Sequence, residues 1–329
     1  MGIALHKKKS SGSTLMTEGT IWKHILLFSI PLILGNMLQQ LYNTVDSIVV
    51  GNSLGSEALA AVGSSSSLIS LLISFSMGAA AGAGVIVSQF IGAQNKKGVH
   101  ESVHTALAIA LILGIVLTVL GVTLSPQILR WMGTPDEVMP QSVIYLRLYF
   151  AGLLFSVLYN MASGILNAVG NSKRSLLYLA IASFTNIVLD LLFIPVLKMG
   201  IAGAAIATDI SQVLSAVLCM LYLMRVNESY KVSLRKIRIY KEVAIRIIQV
   251  GVPTAIQNTV ISFANVLVQS SVNSYGALAM AGFAAYIKID GFNILPVMSF
   301  SMAATTFAGQ NYGAGNIDRV RKGMRVTVA

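Results

Sequence analysis

Eight apolar segments, each long enough to cross a lipid bilayer, dominate this sequence and decide its architecture. A membrane-spanning helix needs about 20 predominantly apolar residues. The segments that meet this requirement lie at residues 25–50, 58–90, 103–124, 143–169, 176–197, 201–224, 245–273 and 279–309. Charged residues make up 11% of the chain, whereas a soluble domain carries roughly 25%. The sequence therefore predicts an all-α, polytopic membrane protein and excludes a soluble enzyme.

The distribution of basic residues predicts how the chain lies in the membrane. The formal net charge is +11, which in a soluble protein would suggest a nucleic-acid partner. Here 19 of the 23 Lys and Arg residues fall in alternate connectors and in the two terminal segments, on what we call the basic side. Cytoplasmic loops carry such an excess. We therefore expect no nucleic-acid partner. We expect the chain to lie in a bacterial plasma membrane with its N-terminus in the cytoplasm.

A repeat divides the sequence after its sixth apolar segment. Pro31, Asn36 and Asn43 recur as Pro253, Asn258 and Asn265 at an offset of 222 residues. The segments QFIGAQNKKGV (89–99) and QNYGAGNIDRV (310–320) share the pattern Q-x-x-G-A-x-N-x-x-x-V at an offset of 221. Because both copies begin on the same side of the membrane, the sequence predicts parallel repeats related by an axis along the membrane normal.

The repeat sets the expected domain boundaries. Residues 1–20 are polar and basic and are expected to form a disordered cytoplasmic tail. Residues 21–226 form a six-helix N-terminal lobe, and residues 227–244 form a basic cytoplasmic connector. Residues 245–329 are expected to form an incomplete C-terminal lobe of two helices. On this division the chain is truncated after its eighth transmembrane helix.

Cysteine and histidine offer little chemistry. Cys219 is the single cysteine, so an intrachain disulfide is impossible. His100 and His104 are four residues apart but lack the glutamate of an H-E-x-x-H zinc motif. We expect both to be solvated loop residues, and we expect no cofactor.

Polar residues inside the apolar segments are the candidate functional residues, since a charge at the bilayer centre costs roughly 2.5–3.5 kcal/mol on insertion scales. Asp46 lies near the end of the first segment, after a polar stripe at helical spacing that includes Asn36, Gln40 and Asn43. Such a stripe faces a cavity or a partner helix rather than lipid. Alternatively, Asp46 caps or orients the loop that follows the helix.

A second group of polar residues lies in the fifth and sixth segments. Asn186 and Asp190 are four residues apart and share a helix face, and Thr208 lies in the next segment, beside Asp209. Carboxylate, amide and hydroxyl oxygens suit a hard cation such as Na⁺, and a buried carboxyl can instead carry a proton. Interhelical hydrogen bonding alone is the structural alternative. No other metal is expected.

Candidate substrate-cavity residues follow from the stripe and its repeat. They are Asn36, Gln40, Asn43, their counterparts Asn258 and Asn265, and the charged pair Lys288 and Asp290 in the eighth segment. In the second segment, Gly78 and Gly82 have the small-xxx-small spacing that is typical of close helix packing.

These motifs together resemble the multidrug and toxic compound extrusion (MATE) family. The resemblance rests on P-x₁₄-D-S-x-V-V-G (31–51), E-A-L-A-A-V-G (57–63), Q-F-I-G-A (89–93), G-I-L-N-A-V-G-N-S (164–172), N-I-V-L-D (186–190) and G-I-A-G-A-A-I-A-T (200–208). It covers essentially the whole chain after Met16.

The resemblance implies a secondary active antiporter, without enzymatic activity or an obligate protein partner. Such proteins lie in the bilayer and export small organic, often cationic, drugs in exchange for H⁺ or Na⁺. It also implies that Asp46, Asn186, Asp190 and Thr208 form the coupling site. The sequence departs from the family in the seventh segment, where Ile261 stands in place of a glutamate that some members have. We therefore expect ion coupling in the first lobe.

Two other functions stay open at this point. A lipid-linked sugar flippase of the same superfamily would line its cavity with several cationic residues for pyrophosphate, and this chain offers chiefly Lys288 and Arg147. An intramembrane aspartyl protease would use Asp46 and Asp190 as a catalytic dyad, although the sequence context G-x-G-D is absent.

Overall fold

A computed structural model describes residues 15–132, 134, 136–273 and 277–328, with the backbone alone for parts of 56–71 and 265–289. Across these residues the chain is almost entirely helical and contains no β-strand. The helices are α1 (Ile21–Leu54), α2 (Ser56–Gly92), α3 (Lys96–Trp131), α4 (Met139–Ala151), α5 (Leu153–Ala168), α6 (Ser172–Leu191), α7 (Ile201–Arg225), α8 (Lys241–Asn273), α9 (Ala277–Gly313) and α10 (Ile317–Val328).

The helices match the predicted number of membrane crossings. Within the described residues, seven are long and apolar enough to cross a membrane, and α4 with α5 makes an eighth, broken crossing. This pair bends by 46° at Gly152, within the single crossing that the sequence predicted over 143–169. The predicted all-α polytopic fold is thus confirmed. Helices suit this environment, since every backbone polar group in lipid must be hydrogen-bonded within the protein.

Apolar side chains lie both inside the helix bundle and on its outer surface. Leu107, Phe150 and Leu166 are fully buried in a cluster that joins the first six crossings. By contrast, Trp131 is 79% exposed and Phe184 71% exposed. Exposed apolar side chains on this scale suit a lipid environment, where they need no shelter from water.

The repeat seen in the sequence is also present in the backbone. Helices α2 and α9 have 37 residues each, and the same corner follows each of them. The amide of Asn95 donates to Phe90 O at 3.0 Å, and that of Asn316 donates to Asn311 O at 2.9 Å. A residue with positive φ precedes each asparagine, at 53° for Gln94 and 75° for Gly315. The 221-residue offset therefore relates structurally equivalent segments.

The second repeat packs across the first through glycine contacts. A Cβ atom on Gly82 would lie 2.6 Å from Ile247 O and 2.7 Å from the Gly251 amide nitrogen on α8. A Cβ atom on Gly78 would lie 2.7 Å from the backbone of Ala255. The close packing predicted from this glycine spacing is thus confirmed, and it joins α2 to α8 with their backbones in contact.

A pseudo-twofold axis passes between α2 and α9. Gly92 packs against the Gln310 carbonyl, and Gly313 packs against the Gln89 carbonyl. These two contacts are equivalent under the 221-residue offset. Ser88 and Gly309, which are equivalent to each other, are in direct contact. A position that touches its own counterpart lies on the symmetry axis, so the two repeats meet symmetrically at the basic side.

The predicted disordered tail is wrong for residues 16–20, although residues 1–14 lie outside the described part. Met16 is 1% exposed, and its amide donates to Gln310 Oε1 at 2.9 Å. Its carbonyl accepts hydrogen bonds from Asn311 Nδ2 at 3.2 Å and from Arg319 Nη2 at 3.2 Å. Residues 15–20, which we call the N-terminal segment, are therefore held by the corner between α9 and α10. Composition favoured disorder because these long-range partners are not visible locally.

Two boundaries after α7 also differ from the prediction. The basic connector occupies residues 226–240 rather than 227–244, because α8 begins at Lys241. The C-terminal region contains a third helix, α10, where two were predicted. Helix α10 was not predicted, because its basic residues exclude it from a search for apolar segments.

The prediction of solvated loop histidines is wrong for both residues, which lie in α3. His104 is fully buried and stacks on His100 with ring centroids 4.0 Å apart. Its Nε2 accepts a hydrogen bond from the Ser233 amide at 3.1 Å, and its Nδ1 lies 2.7 Å from the His100 carbonyl oxygen. These partners assign the neutral Nδ1–H tautomer. His104 therefore attaches the basic connector to α3.

Candidate functional site

Asp46 lies on α1 in a partly buried position. Its Oδ1 atom is buried and has no hydrogen-bond partner among the described residues. Tyr42, one helical turn earlier, interacts electrostatically with both Asp46 and Asp190. The carboxylate therefore faces the interior of the bundle rather than lipid.

Asn186 and Asp190 lie on the buried face of α6, as their spacing predicts. Asn186 is 1% exposed and Asp190 is fully buried. Both carboxylate oxygens of Asp190 and the amide oxygen of Asn186 lack hydrogen-bond partners among the described residues. Buried polar atoms are nearly always bonded, so three such acceptors in one place are suited to hold a cation, a proton or a water molecule.

Thr208 brings α7 to the same place. Asn186 Nδ2 donates to Thr208 Oγ1 at 3.5 Å. Both residues line a small cavity of about 10 Å³, which is about the space needed for a single water molecule. The structure thus joins Asn186 and Thr208 from different helices, whereas the coupling role assigned to them stays a prediction.

The carboxylates carry like charge without a basic partner nearby. Asp190 interacts electrostatically with Asp46. Among the residues whose side chains are described, the ion pair that forms is Lys97–Glu101 on α3, at 3.8 Å. Two neighbouring acids without a protein counter-ion favour either protonation or the uptake of a cation.

The donor set is one of oxygen atoms. Within the described residues, no cluster of three or more His, Cys, Asp or Glu side chains could hold a metal ion. Carboxylate, amide and hydroxyl oxygens are suited to hard cations, and a carboxylate can equally carry a proton. The residues present therefore fit Na⁺ or H⁺.

One of the candidate substrate residues, Asn36, lies at a contact between the repeats. Asn36 Nδ2 donates to Ser299 Oγ on α9 at 3.0 Å, so the polar stripe of α1 faces the second repeat. Gln40 is partly exposed and Asn43 is exposed. Asn258 on α8 and Asp290 on α9 are partly exposed. The side chains of Asn265 and Lys288 lie outside the described part.

Sequence reasoning missed two tyrosines that border the acids. Tyr145 and Tyr149 on α4 are 4% and 8% exposed. Tyr145 interacts electrostatically with Asp46 and Asp190, and Tyr149 interacts with Asp46. Their four-residue spacing was the available signal, but scattered aromatic residues in apolar segments are more often lipid-facing or core residues.

Asp209 follows Thr208 directly in the sequence, but its carboxylate lies at a different place in the structure. The carboxylate packs against Gly152, the residue at which the fourth crossing bends. A side chain at position 152 would collide with it. Asp209 therefore belongs to the α4–α5 break rather than to the Asn186–Thr208 contact.

An internally repeated bundle of membrane-spanning helices, with unpaired acids and amides buried in one repeat, defines a class of protein. Intramembrane acids are expensive and mark ion or substrate pathways, and repeats of this kind are typical of secondary transporters. The fold and the site are those of a membrane transporter.

Comparison with known proteins identifies the family. The family model MatE matches residues 31–192 and 253–329. The chain belongs to this family, the MATE family of multidrug efflux transporters, as the sequence motifs predicted. It is a multi-pass transporter rather than an enzyme, and the comparisons do not favour the flippase or the protease.

Two relatives from Bacillus subtilis (strain 168) are similar over most of the chain. The first, the probable multidrug resistance protein YpnP, is 36% identical over 304 residues, covering 92% of this chain and 68% of the relative. The second, the probable multidrug resistance protein YoeA, is 33% identical over 323 residues, covering 95% of this chain and 69% of the relative. Multidrug resistance transporters therefore match this chain along nearly its whole length.

Solved structures of similar fold are also transporters. A transporter of the MOP superfamily from Pyrococcus furiosus superposes with a TM-score of 0.91 at 30% identity, covering 98% of this chain and 71% of that one. A multidrug resistance MATE family transporter in an outward-facing conformation gives a TM-score of 0.90 at 29% identity, covering 98% and 71%. The helix arrangement described above is thus that of MATE transporters.

Proposed function

We propose that this protein exports small organic, often cationic, compounds across the cell membrane in exchange for H⁺ or Na⁺. The observation that carries the proposal is Asp190, which is fully buried while both of its carboxylate oxygens lack partners in the described structure. A carboxylate in that position is stable only when a proton or a cation occupies it. Occupancy of this site is therefore tied to the conformation of the surrounding helices.

Asp46, Asn186, Asp190 and Thr208 form the coupling site in this proposal. Binding of one monovalent ion offsets one of the two negative charges of Asp46 and Asp190, which relieves their repulsion and changes how α1 packs against α6. Substrate leaves as that packing changes, and it reloads from the basic side after the ion has left. The basic side is cytoplasmic in this scheme, because positively charged connectors are retained there.

Substrate binds between the repeats in the same proposal. Asn36, Gln40, Asn43 and Asn258 offer neutral polar groups there, and Asp290 offers a negative charge. Amide groups and one carboxylate among apolar side chains suit organic cations, since a cation gains from the carboxylate and from aromatic faces. Asn265 and Lys288 are assigned to this cavity from the sequence alone.

Gradient-driven transport in reconstituted vesicles tests the proposal. Ethidium serves as the substrate, and a pH gradient or a Na⁺ gradient is imposed in separate experiments. We expect Asp46→Asn and Asp190→Asn each to reduce gradient-driven transport more than tenfold, because a neutral amide cannot exchange a proton and binds Na⁺ weakly. Asp136→Asn, an exposed change between α3 and α4, is the matched control and keeps full activity.

The same experiment identifies the coupling ion and can refute the scheme. Activity that responds to one gradient and not to the other assigns H⁺ or Na⁺. Normal transport by the Asp46→Asn variant under both gradients would rule out the carboxylate site as the coupling element.

A further inference from the structure

A second polar cluster continues from the coupling site toward the basic side. The cavity beside Asn186 and Thr208 is also lined by Ser183 on α6 and by Ser211 and Ser215 on α7. These serines were not among the residues singled out in the sequence. Because α6 begins and α7 ends at the basic side, the cavity extends from the acids in that direction.

Part of the lining of this cavity presents oxygen lone pairs to its interior. Ser211 Oγ donates its proton to Ala207 O at 2.8 Å, and Ser215 Oγ donates to Gln212 O at 2.9 Å. Asn186 uses its amide nitrogen on Thr208, which leaves its amide oxygen without a partner. Acceptor atoms such as these can coordinate a cation.

Two buried polar groups at the cavity have no hydrogen-bond partner among the described residues. Ser183 is 5% exposed, and its hydroxyl has no hydrogen-bond partner among the described residues. Asn186, at 1% exposed, has its unpaired oxygen at the same cavity. Helix packing alone would not leave both groups unpaired, since each buried unsatisfied polar group costs roughly 1–3 kcal/mol.

Hydroxyl groups continue beyond the cavity. Ser163 on α5 and Ser175 on α6 are hydrogen-bonded to each other, and the Tyr159 hydroxyl interacts with both. Ser175 lies eight residues before Ser183, or about 12 Å along the helix axis. On this face of α6, Leu179 is the apolar residue between the two groups.

The basic end of α6 and α7 is polar as well. Asn171 Nδ2 donates to the Tyr222 hydroxyl at 3.0 Å. The Arg174 guanidinium lies over the Tyr222 ring at 5.3 Å from its centroid. Polar side chains therefore lie between α5, α6 and α7 from Asp190 to the basic side, and Leu179 is the apolar residue that interrupts them.

We propose that the serine-lined cavity is an intermediate site for the coupling ion, a monovalent cation or a hydronium ion, on a route through the first six crossings to the basic side. The proposal rests on the ion-coupled function above and adds a path for the ion that is separate from the path of the substrate. Leu179 is the narrow step of this route, and its side chain must move for an ion to pass.

Reaction of single cysteines with Ag⁺, a small monovalent cation that binds thiolates, tests the route. In a Cys219→Ser background, Ser215→Cys places a thiol at the cavity with little change in volume. Val217→Cys is the matched control. It lies two residues away on the outer face of α7, which points to lipid and away from the cavity. Ag⁺ is added to the basic side of the reconstituted full chain, and the remaining thiol is counted with a maleimide dye after unfolding.

We expect Ser215→Cys to react at least tenfold faster than Val217→Cys from the basic side. Native Cys219 is buried on α7, one helical turn after Ser215 toward the basic side. In the unsubstituted chain it gives the same measurement without any change to the fold, and we expect it to react from the basic side. Reaction of both thiols no faster than the control, or reaction from the opposite side only, would overturn the route. The assay needs no export, so inaccessible thiols together with normal coupled export would refute the route alone.

Discussion

Replacing Gly82 by alanine tests the packing of the second repeat against the first. The new methyl group would lie 2.6 Å from Ile247 O and 2.7 Å from the Gly251 backbone. Both partners are backbone atoms, which cannot rotate away as a flexible side chain can. Helices α2 and α8 must therefore separate by several tenths of an ångström before the methyl group fits.

The size of the effect follows from two opposing contributions. Overpacking in a well-packed interior costs about 1–3 kcal/mol, whereas Gly→Ala in a helix stabilises by about 0.4–1 kcal/mol when the conformation allows it. We expect Gly82→Ala to lower the free energy of unfolding by about 1–2 kcal/mol. Gly84, two residues later, is a matched control because its added Cβ would lie 3.7 Å from the nearest atom, Gly164 O. Gly84→Ala should raise the free energy of unfolding by about 0.4–1 kcal/mol.

Thermal unfolding in detergent, followed by the fraction of monodisperse protein in size-exclusion chromatography, measures the difference. The two variants should move the midpoint in opposite directions, Gly82→Ala downward and Gly84→Ala upward. A Gly82→Ala protein as stable as Gly84→Ala would show that the α2–α8 contact is looser than the structure describes, and it would refute this account of how the repeats pack.

Two further predictions concern the segments held at the basic side. Arg319→Gln removes the charge-assisted hydrogen bonds to the N-terminal segment, so hydrogen exchange in that segment should rise. Arg321→Gln, on the exposed face of α10, is the control and should leave this exchange unchanged. Equal exchange in the two variants would contradict the contact. His104→Phe keeps an aromatic ring but leaves the Ser233 amide without its acceptor, at a cost of about 1–3 kcal/mol. Exchange in the basic connector should rise in this variant and stay unchanged in His100→Phe; slow exchange in both would refute the role of His104.

The number of crossings and the repeat were predictable because each depends on local sequence. An apolar segment of sufficient length must be helical in lipid whatever surrounds it, so the eight crossings follow from composition alone. The corner after α2 recurs after α9 because the same Q-x-x-G-A-x-N residues form it. Spacing alone also placed Asn186 and Asp190 on one face of α6.

The contacts that depend on distant residues were not predictable. The bend at Gly152 depends on the carboxylate of Asp209, which is 57 residues away in the sequence. His104 is buried because the basic connector folds back on α3. The apolar segment 103–124 already contains position 104, but the contact with the connector is not visible in the local sequence. Met16 is ordered for the same reason, since its partners belong to α9 and α10. In each case a tertiary contact determines the local structure, and the residues that make this contact are distant in the sequence.

The two repeats share their packing but not their acids. Around the pseudo-twofold axis, the Gly92–Gln310 contact has its counterpart in Gly313–Gln89, so the interface at the basic side is built twice from one pattern. Asp46, however, corresponds to Val268, which has no ionisable group. In the proposed scheme, ion binding at Asp46 would change the charge of one repeat only, while the interface between the repeats is symmetric. The ion would then bias one half of the bundle against the other. The difference between Asp46 and Val268 also explains why the repeat in the sequence predicts the fold but does not locate the candidate site.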